Sequence, residues 1–372
     1  MIGVILIVLI SGLVAARAST GSIDNQNRIR LNYIIFISIV LILQSGLRNV
    51  AVGSDTYAYL LRFETTASWS WEQVWINFIL VYIEGTGKDA GYILLEKIFQ
   101  FFFNNYRMFL IAIAIFFFGA FGKLVYRNST SITQVVFAYT FYLALFYAFF
   151  SITGHRQTIA TAIVLYGFSF VQNKKLLKFL LCCFIAYFIH ASVIVFVVMY
   201  PLYWFRNTKL LYAVSIIGIL FVFVFRQQII NYTNILWSGE AIEGHVAMPL
   251  NFIAMMMAFF ILIMYSVMKR SQKDGNKNIQ GLCNIVLMGF LLAPTIGVES
   301  GTMRVVQYFS LFLVVLMPSI FNMYHKKIRE IFYVMSITLF VFLAAQNTNY
   351  AFFWQPMQLG DNYGIHQRIV QK

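Results

Sequence analysis

The sequence predicts an all-α integral membrane protein with about twelve transmembrane helices. Hydrophobic residues make up 60% of the 372 residues and charged residues only 11%, against roughly 25% charged in a typical soluble domain. Apolar runs of about 20 residues, the length of a spanning helix, recur along the chain between short polar gaps. A globular core could not bury this much apolar surface, but a bilayer can accept it.

The excess of positive charge follows the predicted loops. The chain has 27 Lys and Arg against 13 Asp and Glu, a net charge of +14. The positive-inside rule explains such an excess in a membrane protein, so we expect no nucleic-acid partner. The basic gaps lie at 17–30, 123–127, 174–178, 206–209, 269–277 and 325–329. If all of them face the cytoplasm, paired crossings lie between them and both termini lie outside.

Hydropathy and loop charge together place the crossings within a single polytopic domain over residues 1–372. The predicted helices cover 2–16, 31–46, 107–124, 132–150, 156–171, 176–189, 191–205, 210–225, 248–268, 279–297, 303–321 and 330–346. Basic residues follow the first apolar run instead of preceding it, which is typical of a spanning helix and not of a signal peptide.

Residues 176–205 are short for two crossings. We expect a hairpin that turns near His190; the alternative is one long helix and eleven crossings.

A long extracytoplasmic segment is predicted at 47–106, between the second and third crossings. Two parts of it, 71–83 and 92–103, are expected to form helices that lie along the membrane interface. Trp69, Trp71 and Trp75 suit interfacial anchoring, the commoner role of such aromatics, although they could also stack on sugars.

The first group of candidate site residues follows the second crossing. Gly53 and Ser54 indicate a turn before a helix, and Asp55 either caps that helix or, with Arg48, faces a ligand at its N-terminus. Tyr59 lies in the same motif and is a supporting candidate.

The second group opens the fifth predicted crossing on its outer side. Arg156 departs from the positive-inside pattern and suits a phosphate or diphosphate beside a helix N-terminus. Snorkelling of its side chain to a lipid headgroup is the alternative. His155 and Gln157 flank it.

Two further groups complete the candidates. His190 lies in an apolar run, where it either bonds a neighbouring helix or takes a proton in catalysis. Glu299 and Arg304 enter the eleventh predicted crossing from outside, as a salt bridge or as part of a site. The sequence has no nucleotide-binding glycine motif, no nucleophile elbow and no histidine spacing typical of a metal site, so no cofactor or metal is expected.

These residues together carry a resemblance to a known family. The order is Arg48, Gly53-Ser-Asp55-Thr, Tyr59, Phe63, Gly91-Tyr-x-Leu-Leu, Arg156-Gln157-x-Ile-Ala160 and His190-Ala-Ser192. It resembles the EpsG family of exopolysaccharide biosynthesis proteins, which is similar to the Wzy-type O-antigen polymerases, over about residues 30 to 325. His155 and the tail around Pro356 depart from the family pattern.

The resemblance implies a metal-independent glycosyltransferase of a bacterial inner membrane, with its active site facing outward. It would join polyprenyl-diphosphate-linked oligosaccharide repeat units, in contact with membrane lipids and with a flippase and a chain-length regulator as candidate partners. Arg48, Asp55, Arg156, Gln157 and His190 are carried over from the family motifs.

The leaving diphosphate gains charge, which Arg156, Arg304 and Arg48 would stabilise, with Gln157 beside them. Asp55 or His190 would be the base. This mechanism requires the three arginines to converge in one outward pocket. Arg304 is included mainly because of its position at the outer end of a predicted crossing, with weaker support from the family motifs.

Other functions of a membrane protein in envelope synthesis stay open at this point. A transporter or flippase for lipid-linked sugars usually places polar residues near the midplane, often within repeated halves, and neither feature is evident here. A glycan ligase, an acyltransferase and a non-catalytic assembly component are further alternatives.

Overall fold

Helices make up almost all of the part of the chain that the structure describes. The computed structural model describes residues 1–53, 55–238, 250–270, 277–298, 300–346 and 350–357. Within these ranges it is 84% helix and contains no β-strand, only an isolated antiparallel bridge between Arg48 and Phe352. The predicted all-α class is therefore confirmed.

Sixteen α-helices follow one another along the described ranges. They are α1 (Ile2–Ala18), α2 (Ile23–Gly46), α3 (Thr56–Ser68), α4 (Trp71–Ile83), α5 (Ala90–Phe102), α6 (Tyr106–Asn128), α7 (Ile132–Leu145), α8 (His155–Gln172), α9 (Leu176–Ile189), α10 (Met199–Trp204), α11 (Thr208–Ser238), α12 (Leu250–Arg270), α13 (Lys277–Leu292), α14 (Ser300–Ser310), α15 (Leu313–Phe321) and α16 (Lys326–Ala345). A π-helical turn, Ala148–Thr153, lies before α8, and 3-10 segments cover Ala191–Val198 and Ala293–Gly297.

Several of these helices are long and apolar enough to cross a membrane. Among the described residues, five helices have the length and the hydropathy of a membrane span. They are Ile23–Gly46, Tyr106–Asn128, Leu210–Tyr232, Lys277–Ile296 and Lys326–Ala345. The pair α14 and α15, bent by 42°, makes a sixth if it forms one span. Other predicted crossings, such as α7 and α9 with 14 residues each, are shorter than the usual 17–25 residues. The protein is thus a multi-pass membrane protein, and the count of twelve crossings stays a prediction.

The contacts divide the chain into two compact units. The first comprises Met1–Phe170, Leu177–Ile194 and Ile331–Lys372, and the second comprises Val171–Leu176 and Val195–Glu330. The single-domain prediction for residues 1–372 stays a prediction, because two groups of contacts can belong to one membrane domain.

In the first unit, α2 and α6 pack side by side in opposite directions. Gly46 faces Ile111, Gly122 faces Ser38, and Arg30 donates to the carbonyl of Ser129. A methyl group on Gly46 would lie 2.9 Å from the Ile111 Cα, so the small residue permits the close approach, as is usual for helices in a membrane. The end of α2 and the start of α6 therefore lie at the same end of the pair.

The chain between α2 and α6 forms three short helices, α3 to α5. Ser70 begins α4 with a capping box shared with Gln73, and Asn105 caps α6 by accepting from two backbone N–H groups. On α4, Trp71 is 41% and Trp75 is 51% exposed. Helices thus occur where the interfacial ones were expected, and their placement outside the membrane stays a prediction.

In the second unit, α13 is the central helix. Gly281 packs directly on the ring of Tyr203, and the amide of Asn284 donates to the carbonyls of Leu202 and Phe205 at 2.9 and 3.0 Å. Asn278 accepts from the Tyr203 hydroxyl at 2.8 Å. These contacts fix the backbone around α10 against α13.

The chain interrupts its helix at His190. Helix α9 ends at Ile189 and a 3-10 segment begins at Ala191. A break therefore occurs where the hairpin was expected to turn, whereas two crossings in 176–205 stay a prediction.

Candidate active site

A buried carboxylate, Asp89, lies at the centre of a polar cluster in the first unit. Its Oδ2 accepts from Nη1 of Arg156 at 2.6 Å and from Nδ1 of His190 at 2.9 Å, and its Oδ1 accepts from the backbone N–H of Ala191 at 3.1 Å. Asp89 is only 6% exposed. Burial raises its pKa, but hydrogen bonding and charge from His190 and the charge of Arg156 outweigh this effect, so the pKa lies below its usual value. Asp89 is therefore a fixed anion.

The contact with Asp89 sets the tautomer of His190. An ionised carboxylate can only accept hydrogen bonds, so the proton in this contact belongs to His190 Nδ1. In the neutral ring Nε2 is then an acceptor, and Nε2 of Gln157 lies 3.2 Å from it. This arrangement holds Nε2 as the nitrogen that can take a proton.

Arg156 links Asp89 to an aromatic neighbour, and one of its guanidinium nitrogens remains available to a ligand. Its Nε donates to the hydroxyl of Tyr59 at 3.2 Å, while Nη1 is held by Asp89. Its Nη2 forms no hydrogen bond with the described residues, and the side chain is 26% exposed. An anchored arginine with an open donor edge is suited to bind an oxyanion.

A second layer of contacts lies behind Arg156. The imidazole of His155 stacks on Tyr59, with ring centroids 4.2 Å apart, and its Nε2 lies 2.6 Å from Nη2 of Arg48. Arg48 is 3% exposed and donates further to the carbonyls of Ser45 and Ile152. Arg48 therefore uses both Nη groups on the protein itself, whereas its buried Nε has no hydrogen-bond partner among the described residues.

A close backbone contact positions Asp89 against His190. Gly91, near the start of α5, packs on the carbonyl of Phe188, and a methyl group at Gly91 would overlap that oxygen. The hydroxyl of Tyr82 donates to the same carbonyl at 2.6 Å and accepts from the Gly91 N–H at 3.3 Å. Asp89 itself has a left-handed backbone, with φ of 56°. Together these features direct the Asp89 side chain toward the end of α9.

A separate buried ion pair joins α3 to α5. Nε of Arg62 lies 3.5 Å from Oε2 of Glu96, and the Glu96 side chain has no exposed surface. Burial raises the pKa of Glu96 to about 7, against the opposing charge of Arg62. This pair fixes the two helices that border the cluster.

The structure brings together part of the predicted site. Arg156, Gln157 and His190 share the Asp89 cluster, with Tyr59, His155 and Arg48 behind them.

The remaining candidates lie apart from this cluster or outside the description. Asp55 precedes α3 without capping it through its side chain, and its carboxylate forms no hydrogen bond with the described residues. Arg304 lies exposed on α14 in the second unit, and its convergence with Arg48 and Arg156 stays a prediction. Glu299 lies outside the described residues.

Asp89 is the residue that the sequence analysis did not select. It was one charge among many in 47–106, and its position just before a helix is typical of an ordinary cap. The signal that could have found it is the Gly91-Tyr motif, which begins two residues later.

The cluster provides the groups that a group-transfer reaction needs. His190 can accept a proton while Asp89 holds its ring, and Arg156 can stabilise developing negative charge beside it. All of these groups are fixed by hydrogen bonds before any substrate arrives, so little reorganisation is required.

Comparison with known proteins identifies the family. No curated protein and no solved structure matches the chain. The profile of the EpsG family matches residues 31–359. This range extends beyond the resemblance expected from the motifs and includes the tail around Pro356. The chain belongs to the EpsG family, a Wzy-like polymerase family.

Proposed function

We propose that this protein is a polysaccharide polymerase that joins polyprenyl-diphosphate-linked oligosaccharide repeat units at the outer face of a bacterial inner membrane. Its family supports an exopolysaccharide-related polymerase. The observation that carries the proposal is the single carboxylate of Asp89, which holds both a base candidate, His190, and an arginine with an open donor edge, Arg156.

In the proposed reaction a sugar hydroxyl of one repeat unit attacks the anomeric carbon of the growing chain on another lipid. The hydroxyl proton passes to Nε2 of His190 as the new C–O bond forms. The bond between the anomeric carbon and the diphosphate oxygen breaks, and its electron pair leaves with the lipid diphosphate. Arg156 stabilises that charge through Nη2. The step uses no nucleotide sugar and, in this proposal, no metal.

The contacts favour distinct roles for the other residues. Asp89 acts as a positioning residue for both His190 and Arg156. Gln157, 3.2 Å from His190 Nε2, occupies the place that the acceptor hydroxyl would take. Arg48 orients His155 and the end of α2, because its Nη1 and Nη2 groups contact backbone carbonyls and the His155 ring. Asp55 remains the second candidate base, and Arg304 a candidate for the second phosphate.

The charge distribution of the first unit supports an outward site. Arg30 lies beside Ser129, at the end of the α2–α6 pair opposite to the cluster. Arg28, Lys123 and Arg127 lie near that same end in sequence. The proposal assigns this basic end to the cytoplasm by the positive-inside rule, which leaves the Asp89 cluster on the outward side.

A deletion strain and the purified protein together test the function. The deletion strain is expected to accumulate single repeat units in place of long chains. Purified protein in detergent, given lipid-linked repeat units, is expected to release lipid diphosphate and form polymer without a second compartment. Vesicle translocation of the units without any new glycosidic bond would instead identify a flippase and contradict the proposal.

The glycine contact provides a prediction about geometry. Gly91→Ala is expected to lower polymer formation by roughly 10–100-fold, because the added methyl group pushes the end of α9 away from Asp89 and displaces His190. The measurement is the initial rate with lipid-linked units. Gly3→Ala is the matched control, since a methyl group there meets nothing within 4 Å. Equal rates for both variants would show that this contact does not position the site.

A further inference from the structure

A polar cavity of about 520 Å³ lies beside the cluster in the first unit. Its walls come from the residues that follow α2, from one face of α3 and from the start of α6, with Phe353 closing one side. The volume falls within the range of about 300–1,000 Å³ that is typical of ligand sites. The reaction described above does not use this cavity.

A segment near the C-terminus forms a fixed wall of the cavity. Residues 350–357, here called the C-terminal strap, are tied to the end of α2 by backbone bonds. The Phe353 N–H donates to Leu47 O at 2.9 Å, and the Asn49 N–H donates to Ala351 O at 2.8 Å. The side chain of Asn49 also donates to the Gln355 carbonyl at 2.9 Å. The aromatic ring of Phe353 is thus held in place while 38% of its surface stays exposed.

The cavity presents polar groups that the protein does not use. The side-chain polar groups of Glu64, Asn104 and Arg107 form no hydrogen bond or ion pair with the described residues. The guanidinium of Arg107 lies 3.5 Å from the centroid of the Phe353 ring, which fixes its plane while leaving its N–H groups available. The site therefore offers a carboxylate, an amide and a guanidinium around one aromatic ring.

This combination fits a sugar better than a phosphate. Hydroxyl groups both donate and accept, so they can pair with the carboxylate of Glu64 and with the N–H donors of Asn104 and Arg107. The part of the Phe353 ring that Arg107 does not cover stays exposed and can contact the apolar face of a pyranose. A phosphate would use Arg107 but would be repelled by Glu64, because like charges raise the free energy of binding.

We propose that this cavity binds the sugar portion of an oligosaccharide repeat unit, as a second glycan subsite next to the Asp89 cluster. Arg48 connects the cavity to the Asp89 cluster, because it lines the cavity and also contacts His155. His155 in turn stacks on Tyr59, which accepts a hydrogen bond from Arg156. The source of the sugar rests on the proposed function. A reaction between two lipid-linked glycans needs a place for each of them, and the cluster alone holds only the reacting ends.

The experiment measures binding separately from catalysis. The probe is a lipid-free oligosaccharide released by partial hydrolysis of the polymer that the same strain produces. Binding to the purified full-length protein is measured by titration calorimetry. Phe353→Ala and Arg107→Ala are each expected to raise the Kd by about 5–30-fold. Phe101→Ala, on a side chain that is 73% exposed and does not line the cavity, is the matched control and is expected to leave the Kd unchanged.

The outcomes separate this inference from the proposed function. His190→Ala protein that binds the probe like wild type while forming no polymer supports both. Wild-type protein that forms polymer but does not bind the probe overturns the cavity assignment and leaves the polymerase in place. Phe353→Ala and Arg107→Ala proteins that bind the probe with the same Kd as the wild type and the Phe101→Ala control also overturn it. Weaker binding of short-chain phosphatidylglycerol to the detergent-solubilised Arg107→Ala protein, with unchanged probe binding, would assign the cavity to a lipid headgroup instead. Thermal melting of each variant distinguishes lost contacts from lost folding.

Discussion

His190→Ala is expected to lower polymer formation by about 10²–10⁴-fold, the usual contribution of a positioned general base. The variant removes His190 Nε2, the nitrogen assigned to accept the proton while Asp89 holds Nδ1 of the same ring. The rate is measured with purified protein and lipid-linked repeat units, at saturating substrate. The loss should appear in kcat, because the base acts on the reacting hydroxyl and contributes little to binding.

Asp55→Asn tests the competing assignment of the base. The Asp55 carboxylate has no hydrogen-bond partner among the described residues, and we expect this variant to keep most of its activity. A large loss in Asp55→Asn together with a normal rate in His190→Ala would transfer the role of base to Asp55. The two variants therefore decide between candidates that the sequence leaves equal.

A double-mutant comparison can test whether Asp89 contributes to the rate by positioning His190. Asp89→Asn is expected to lower the rate strongly in the wild-type background, since an amide neither carries the charge nor fixes the tautomer of His190. In the His190→Ala background the same change should cost less than in the wild type, because only the anchoring of Arg156 remains to be lost. Full additivity of the two losses would show that Asp89 works independently of His190. Asp24→Asn, at an exposed position in the first turn of α2, is the control.

Hydropathy was sufficient to place most helices because the bilayer constrains each of them alone. Helix α6 was expected at 107–124 and is found at Tyr106–Asn128. Helix α2 begins eight residues earlier than the expected 31–46, at Ile23. Its first turns are polar, and the cap that begins them is the Ser22 hydroxyl, which accepts from the Asn25 N–H. Hydropathy detects only the apolar part of such a helix, so its polar extension was missed.

The site could be predicted only in part, because it depends on packing between distant segments. Arg156 and His190 were selected as unusual polar residues at the ends of apolar runs, a signal that is local. Asp89 lies 67 residues from Arg156 and 101 from His190, and nothing local indicates these pairings. They follow from the contact of Gly91 with Phe188, which exists only in the folded chain.

Arg156→Ala is expected to lower polymer formation by about 10²–10³-fold, the effect of removing one charge-stabilising donor from a preorganised site. The open Nη2 edge of Arg156 is the donor assigned to the leaving diphosphate, whose charge grows as the glycosidic bond breaks. Removing Arg156 leaves Asp89 with the His190 ring and the Ala191 N–H as partners. The cluster should therefore keep its shape, which the melting temperature of the purified variant checks.

Arg156→Lys distinguishes a diphosphate contact from a simple need for positive charge. Arginine holds Tyr59 and Asp89 through Nε and Nη1 and directs its third nitrogen at the substrate. Lysine keeps the charge, but its single nitrogen cannot make all of these contacts. We expect it to recover only a small part of the rate that alanine loses. Arg226→Ala, at a half-buried arginine on α11 whose contacts are to Phe223 one turn away, should retain the wild-type rate. If Arg156→Ala folds normally and makes polymer at that same rate, the diphosphate must be stabilised elsewhere, with Arg304 as the next candidate.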